Sequence, residues 1–341
     1  MLPASRAAGP LPTSPPENLD SLGLPLGRLP TERVSPDYAD LDLRSTSERV
    51  AAMNAEDAEV AAAVALAAPA ITAAVDGITD RLARGGRLLY IGAGTAGRLG
   101  ILDASECPPT FGTDPSLVVG LIAGGTTALT TAIENVEDDS AQGAADLAAR
   151  GTGELDVVVG ISASGRTPYV CGAVDAARRL GALTIAITSN PGSPLAAGAE
   201  IAIEVLTGPE LVAGSTRLKA GTAQKLVLNM LSTLSMVKLG KTYGNIMIDL
   251  VATNEKLRAR AQRTVMRVTG CSAAEATEAL TGSEGSVKTA VLMLLASVTK
   301  VEADDRLGRH RGNLRAALAE VAAGAAQAGP AAAVAGTAVP S

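Results

Sequence analysis

The chain predicts an α/β fold: a doubly wound five-stranded parallel sheet flanked by helices, with a small all-helical domain after it. Three observations carry this. Short β-rich apolar runs recur at 87–92, 117–122, 156–161, 183–188 and 201–206. Helical segments lie between them, over about 96–104, 127–149, 168–180 and 193–198. No strand signal follows residue 208. Continuous apolar strands alternating with helices imply a sheet covered on both faces. Ligands of such sheets bind beyond the C-terminal strand ends, at a topological switch point, so the loops after the strands are the place to look.

The elements follow in order. Residues 1–28 are rich in Pro, Ser and Gly and read as a disordered extension. Residues 29–84 form an N-terminal segment: a polar stretch, a helix start at Ser45 or Thr46, then an Ala/Val-rich helical run over 55–84 ending near Gly85 and Gly86. The sheet domain spans 85–242. Its last part predicts a long helix from Ser215 to about Lys241. A further helix, from about Asn245 to Val268, opens a C-terminal helical domain or lid over 243–322. Within it Ser272, with Glu275 three residues on, has the form of a capping box. Residues 323–341 are low-complexity and read as a disordered tail.

Composition excludes several function classes. The 341 residues carry 29 basic and 35 acidic side chains, net −6, which does not favour nucleic acid or anionic membrane. No apolar run reaches the roughly 20 residues of a membrane span, and the N-terminus lacks the pattern of a secretion signal. Cys107, Cys171 and Cys271 share no metal-site spacing and read as reduced cytosolic thiols. One histidine, His310, leaves almost no material for a histidine-based zinc site or a Ser/His nucleophilic pair. With one Phe, four Tyr and no Trp, stacking platforms are scarce, and a small ligand held by charge and hydrogen bonds fits better.

Residues 90–100, "YIGAGTAGRLG", spell G-x-G-x-x-G through Gly92, Gly94 and Gly97 at the end of the first strand. A dinucleotide site also needs an acidic residue at the end of the second strand. Asp114 has roughly the right offset, but it precedes that strand. What remains is a glycine turn into a helix, whose free N–H groups suit any phosphate; the lesser alternative is a tight turn with no ligand. The loop after 156–161 is more telling. "SASGRTP" supplies hydroxyls at Ser162, Ser164 and Thr167, with Gly165 letting backbone N–H groups converge and a helix starting near Pro168. Serine and threonine are ordinary cap residues, but three in this pattern make a phosphate-monoester cradle.

S-x-S-G-x-T after a buried strand, with a glycine loop upstream, resembles a sugar isomerase (SIS) domain, a phosphosugar-binding family. Longer motifs, "GAGTAGRLGILDASECPPTFG" (92–112), "GLIAGG" (120–125), "SASGRTPYV" (162–170), "GSTRLKAGTAQKLVLNMLST" (214–233) and "NIMIDLVATNEKL" (245–257), resemble the N-acetylmuramic acid 6-phosphate etherase family from about Leu29 to Leu318. The resemblance implies a cytoplasmic, homodimeric lyase of peptidoglycan recycling, with no cofactor or metal. It splits the lactyl ether to give N-acetylglucosamine 6-phosphate and D-lactate. One departure stands at Ala96, where the family pattern often has serine. A phosphate contact there falls to Thr95, to backbone N–H groups or to the second loop.

The chemistry so implied opens the sugar ring, removes the C2 proton, eliminates lactate from C3 and adds water back. It needs a base and an acid, and without placed histidines carboxylates must serve, one kept protonated by its surroundings. Glu106 lies in "DASECPPT", where Pro108 biases Cys107 towards an extended conformation and a rigid, mostly apolar setting would raise a carboxyl pKa. Glu137, on the expected helix, lies roughly 80° from Leu129 at the border of an apolar stripe, whereas Glu134 and Asp138 lie roughly 140° and 180° away. Read without the family, Glu106 is a solvated loop residue and Glu137 part of an acidic surface helix. The resemblance assigns Glu106 as the acid for the leaving lactate and Glu137 as the base at C2. Phosphate and substrate contacts are expected from Gly94, Thr95, Gly97, Ser162, Ser164, Gly165 and Thr167. Ser215 and Lys219, with Arg217 beside them, open a helix and offer further anion contacts. His310 and Arg311 belong either to a closing lid or to plain surface.

Rival readings are a non-catalytic phosphosugar-sensing regulator and an aldose–ketose phosphosugar isomerase. A two-carboxylate glycosidase is disfavoured by the scarcity of aromatics.

Overall fold

A computed structural model describes residues 29–249 and 255–327. The expected disordered extension before residue 29 lies outside the described residues. The chain divides into two compact units, one of Met1–Cys107 with Asp114–Ser235, the other of Pro108–Thr113 with Met236–Ser341.

The first unit opens with short 3-10 turns and then α1 (Thr46–Ala58), started by a full capping box between Ser45 and Glu48. The helical run expected over 55–84 is broken into α2 (Val60–Leu66) and α3 (Ala68–Ala83). Pro69 causes the second break, because it has no N–H to continue the ladder and its ring crowds the preceding turn. α3 buries Ile71, Ala74, Val75, Ile78 and Leu82, a stripe of helical period.

The sheet elements alternate as expected. They are β1 (Leu88–Gly92), α4 (Gly94–Phe111), β2 (Val118–Ile122), α5 (Ser140–Ala149), β3 (Val157–Ile161), α6 (Pro168–Arg179), β4 (Leu183–Thr188), α7 (Pro194–Gly198), β5 (Ile201–Glu204) and α8 (Lys219–Lys238). All five strands are parallel, in the order β2-β1-β3-β4-β5. Leu88 faces Val118 on one side and Val157 on the other. β1, β3 and β4 are buried along their whole length, which is why their sequences show no polar alternation. The order reverses between β1 and β3, so the crevice beyond their C-terminal ends is the switch point.

Three boundaries differ from expectation, each for a local reason. α4 does not stop near residue 104 but continues through Pro108 and Pro109, so Cys107 is helical rather than extended. Ala104, Cys107 and Phe111, spaced i, i+3, i+7, are all buried, and that burial offsets the two missing hydrogen bonds. The helix expected over 127–149 is a 3-10 turn (Gly125–Leu129), an irregular segment, and then α5 from Ser140. Asp139 caps α5 by accepting from the Gln142 N–H at 3.0 Å, and Asn135 adopts a left-handed φ of 63°. α8 starts at Lys219, not Ser215, because the buried Glu210 carboxylate accepts from the N–H groups of Lys219 (2.8 Å) and Ala220 (3.0 Å).

The second unit begins with a small antiparallel hairpin, β6 (Thr242–Tyr243) and β7 (Ile246–Met247), turning at Gly244, where the sequence suggests the start of a helix and no strand. Then follow α9 (Glu255–Thr269), α10 (Ala273–Gly282), α11 (Val287–Ala296), α12 (Lys300–Arg309) and α13 (Leu314–Gln327) around their own apolar core. The expected Ser272–Glu275 capping box starts α10. α13 runs past residue 323, where the tail was expected to begin, and the rest of that tail lies outside the described residues. Among the described residues no single helix is long and apolar enough to cross a membrane.

Candidate active site

A cavity of 350 Å³ opens in the first unit at the β1/β3 switch point. Its wall carries Gly94, Thr95 and Ala96 from the first turn of α4, Ser162, Ser164 and Thr167 from the loop after β3, and Glu137. Glu32, Thr216 and Gln224 complete its polar lining.

The loop after β3 is a connected hydroxyl cluster. Ser162 Oγ lies 2.8 Å from Thr167 Oγ1 and 3.3 Å from Ser164 Oγ. Gly165 donates its N–H to Ser162 Oγ (3.1 Å), and Arg166 its N–H to Ser164 Oγ (3.2 Å). Gly165 has φ +66°, and a Cβ there would stand 2.1 Å from Ser193 Oγ, so only glycine permits this turn. Thr167 is the N-cap of α6, whose positive end therefore meets the cavity. The opposite wall is the N-terminus of α4, where the first N–H groups have no partner within the helix. Gly97 does not line the cavity. It lets α4 approach the sheet, since a Cβ there would lie 2.6 Å from Ile122 Cγ1.

Glu137 reaches the wall by a route different from the expected helix. Its backbone carbonyl accepts from the Tyr169 N–H (3.0 Å) in the first turn of α6, beside the hydroxyl cluster. Arg98 on α4 donates from Nε to the Leu129 carbonyl (3.1 Å) and holds the preceding turn. The side chain of Glu137 is exposed.

Glu106 does not line this cavity. It is solvent-exposed on α4, so the rigid apolar setting expected around it is absent from this chain. Twelve residues separate it from Gly94, which puts it roughly 18 Å along the helix. Three residues before it, Asp103 is buried and accepts hydrogen bonds from Asn229 (2.7 Å), Tyr90 (2.9 Å) and Ser232 (3.1 Å). Burial raises the Asp103 carboxyl above its ordinary range against the pull of those three donors. The same burial, with Asp103 adding to it, pushes the Cys107 thiol up to about 12, which leaves it inert.

Ser215 and Lys219 are likewise not on the cavity wall. The Lys219 ammonium is buried against the Glu56 carboxylate, which also accepts from Tyr38 Oη at 2.7 Å. Burial works to raise Glu56, but Lys219 and Tyr38 together hold it below its usual value. Arg217 is exposed. His310 Nε2 pairs with Glu320 at 2.6 Å within the second unit, and Arg311 is exposed there. Asp114 accepts from the Ser116 N–H (2.7 Å) in the turn before β2, at the end of the strand away from the crevice.

Sequence reasoning missed Glu32, Thr216 and Gln224. Glu32 follows Thr31, whose side chain accepts from Asn190 Nδ2 (3.0 Å) beyond β4, a contact 159 residues apart that no local pattern signals. Thr216 and Gln224 sit in the quoted motif 214–233, which was the available signal. Among the described residues no group of three potential metal-ligating side chains exists.

The SIS domain family matches residues 129–234, and the N-terminal SIS domain of glucokinase regulatory protein matches residues 48–178. An N-acetylmuramic acid 6-phosphate etherase of Streptomyces avermitilis is 57% identical over 88% of this chain and 96% of its own. That of Streptomyces coelicolor is 57% identical over 90% and 98%. The Erwinia tasmaniensis etherase is 54% identical over 86% and 96%.

Proposed function

This chain belongs to the N-acetylmuramic acid 6-phosphate etherase family, and we propose the following course for its reaction. It is a carbon–oxygen lyase that cleaves the D-lactyl ether of N-acetylmuramic acid 6-phosphate, giving N-acetylglucosamine 6-phosphate and D-lactate. The observation that carries the reading is the joint presence of the Ser162–Ser164–Thr167 cluster and Glu137 on one cavity. The hydroxyls and the α4 N-terminus at Gly94 and Thr95 hold the 6-phosphate. Gly165, whose N–H is spent on Ser162 and which is not on the wall, shapes the hydroxyl turn, and Gly97 keeps α4 close to the sheet. With the ring open, the C1 aldehyde acidifies the C2 proton. Glu137 removes it, the electron pair forms the C1–C2 double bond, and the charge moves to the aldehyde oxygen. When that pair returns, the C1–C2 pair moves to form a C2–C3 double bond, the C3–O bond breaks and lactate leaves with a proton from Glu106. Glu106 then takes a proton from the water whose oxygen adds to C3, and Glu137 returns its proton to C2.

Glu106 acts on the site of a second copy of the chain. In its own chain it sits roughly 18 Å along α4 from Gly94, whereas the C3 ether lies within one sugar ring of the phosphate. An apolar surface beside it supports pairing. Leu102 on α4 is 52% exposed, and Met230 (37%) and Leu234 (45%) on α8 are exposed too; Asp103 ties the two helices together. The enzyme is thus a homodimer, and its free thiols and phosphorylated substrate suit the cytoplasm. Ser215 and Lys219 leave the substrate-binding set, and Thr216 takes their place. Purified protein mixed with N-acetylmuramic acid 6-phosphate is expected to release D-lactate. Release of none, with the sugar phosphate still bound, would leave a phosphosugar sensor instead.

A further inference from the structure

We propose that Gln224 is the hydrogen-bond donor to the aldehyde oxygen as negative charge develops there, an inference that rests on the etherase reading. Gln224 is 2% exposed and lines the same cavity as Glu137. Among the described residues its Nε2 has no hydrogen-bond partner. A buried amide N–H without an acceptor is costly, and one that faces a ligand cavity is accounted for by a group that the ligand brings. Gly221, three residues earlier on the same helix face, turns towards Thr95, since a Cβ there would come within 3.5 Å of Thr95 Cγ2. The face of α8 that carries Gln224 therefore looks across at the first phosphate loop.

The chemistry of the wall singles this residue out. The lining side chains include two carboxylates, Glu32 and Glu137, and no Lys, Arg or His among the described residues. When the C2 proton passes to Glu137, the C–H electron pair becomes the C1–C2 bond and the carbonyl π pair moves onto the C1 oxygen. The negative charge has left Glu137 and must be met at that oxygen by a donor. Ser162, Ser164 and Thr167 bond to one another within the phosphate cradle, and Thr95 stands on its other wall. Gln224 supplies an unengaged N–H. Its neutrality matters as well: a cation in its place would also stabilise the Glu137 carboxylate and weaken the base, whereas an amide stabilises the product of proton transfer without that penalty.

The test compares wild type with Gln224→Met and Gln224→Glu. Three quantities are read: C2 proton exchange in deuterated water by NMR, kcat and KM for D-lactate release, and the melting temperature. Both variants are expected to lose about 10²–10³-fold in kcat and in C2 exchange alike, with KM little changed. Gln224→Met is expected to melt no lower than wild type, because it removes an unsatisfied donor. A raised KM with unchanged kcat and exchange would overturn the proposal and make Gln224 a ground-state contact. Full activity in either variant would overturn it too. Wild-type protein that exchanges no C2 proton and releases no lactate would instead overturn the etherase reading, so the two failures are distinguishable.

Discussion

The first two strands of the sheet are each followed by a stretch that carries a glutamate, and the two deliver it by opposite means. After β1 the chain enters α4 within two residues, and Glu106 rides that helix away from the cavity at 1.5 Å per residue. After β2 it wanders through an irregular segment, and Glu137, fifteen residues past the strand, stands on the cavity wall. A helix turns sequence separation into fixed distance. A loop folded back on itself, here fastened by the Tyr169 N–H and Arg98, cancels it. Nearness to a phosphate motif in sequence is therefore a poor guide to nearness in space.

The largest expected effect tests the loop side of this contrast. Glu137→Gln keeps the backbone contact to Tyr169 and removes only the base. It should lower C2 proton exchange and lactate release together by about 10²–10⁴-fold, with melting unchanged because the side chain is exposed. Exchange persisting at the wild-type rate would remove Glu137 as the base.

The helix side is tested by mixing chains. Glu106→Gln alone should abolish turnover. Mixed with Glu137→Gln chains after dissociation and reassociation, it should regain activity, because a hybrid dimer joins an intact Glu137 to an intact Glu106 at one of its sites. About a quarter of all sites would then be restored, half of the dimers being hybrid and half of their sites complete. If both glutamates acted within one chain, the mixture would stay dead.

Much of this was legible in the sequence, and the exceptions share a cause. The five strands, their helices and the two phosphate loops were readable because buried parallel strands and glycine turns leave local signatures. The first half of the helix expected over 127–149 is replaced by a turn and an irregular segment, because an apolar stripe alone does not make a helix. Asp139, Asn135 and the Tyr169 contact favoured a turn and a later start. α4 runs past its expected end because the burial of Cys107 and Phe111 outweighs the two prolines, and that burial depends on tertiary packing with no local signature. Glu32 was invisible for a third reason: its position depends on Asn190, remote in sequence.

A smaller effect separates two glycines of the opposing phosphate loops. A Cβ at Gly165 would collide with Ser193 Oγ, which itself caps α7 by accepting from the Ala196 N–H at 3.2 Å. At Gly94, φ is +53° but nothing lies within 4 Å. Gly165→Ala should therefore cost about 2–3 kcal/mol by denaturant melting, and Gly94→Ala about 1 kcal/mol from the left-handed backbone alone. The second variant should reveal itself in KM instead, because Gly94 lines the phosphate cavity. Equal losses of stability would contradict the packing difference between the two walls.

The smallest change addresses Ala96, the position at which the family pattern leads one to expect a serine. Ala96 lines the cavity in the first turn of α4 and is 8% exposed, so a hydroxyl there would add a donor close to the phosphate with little other consequence. Because one neutral hydrogen bond contributes about 1 kcal/mol, Ala96→Ser should lower KM by about five-fold and leave kcat within a factor of two. Thr95→Val should move KM the other way. If Ala96→Ser leaves KM unchanged while Thr95→Val raises it, the first wall already holds its anion through Thr95 and the helix N–H groups. The serine would then be redundant in this chain, and the two phosphate walls would differ in make-up: one hydroxyl with helix N–H groups on α4, a cluster of three hydroxyls before α6.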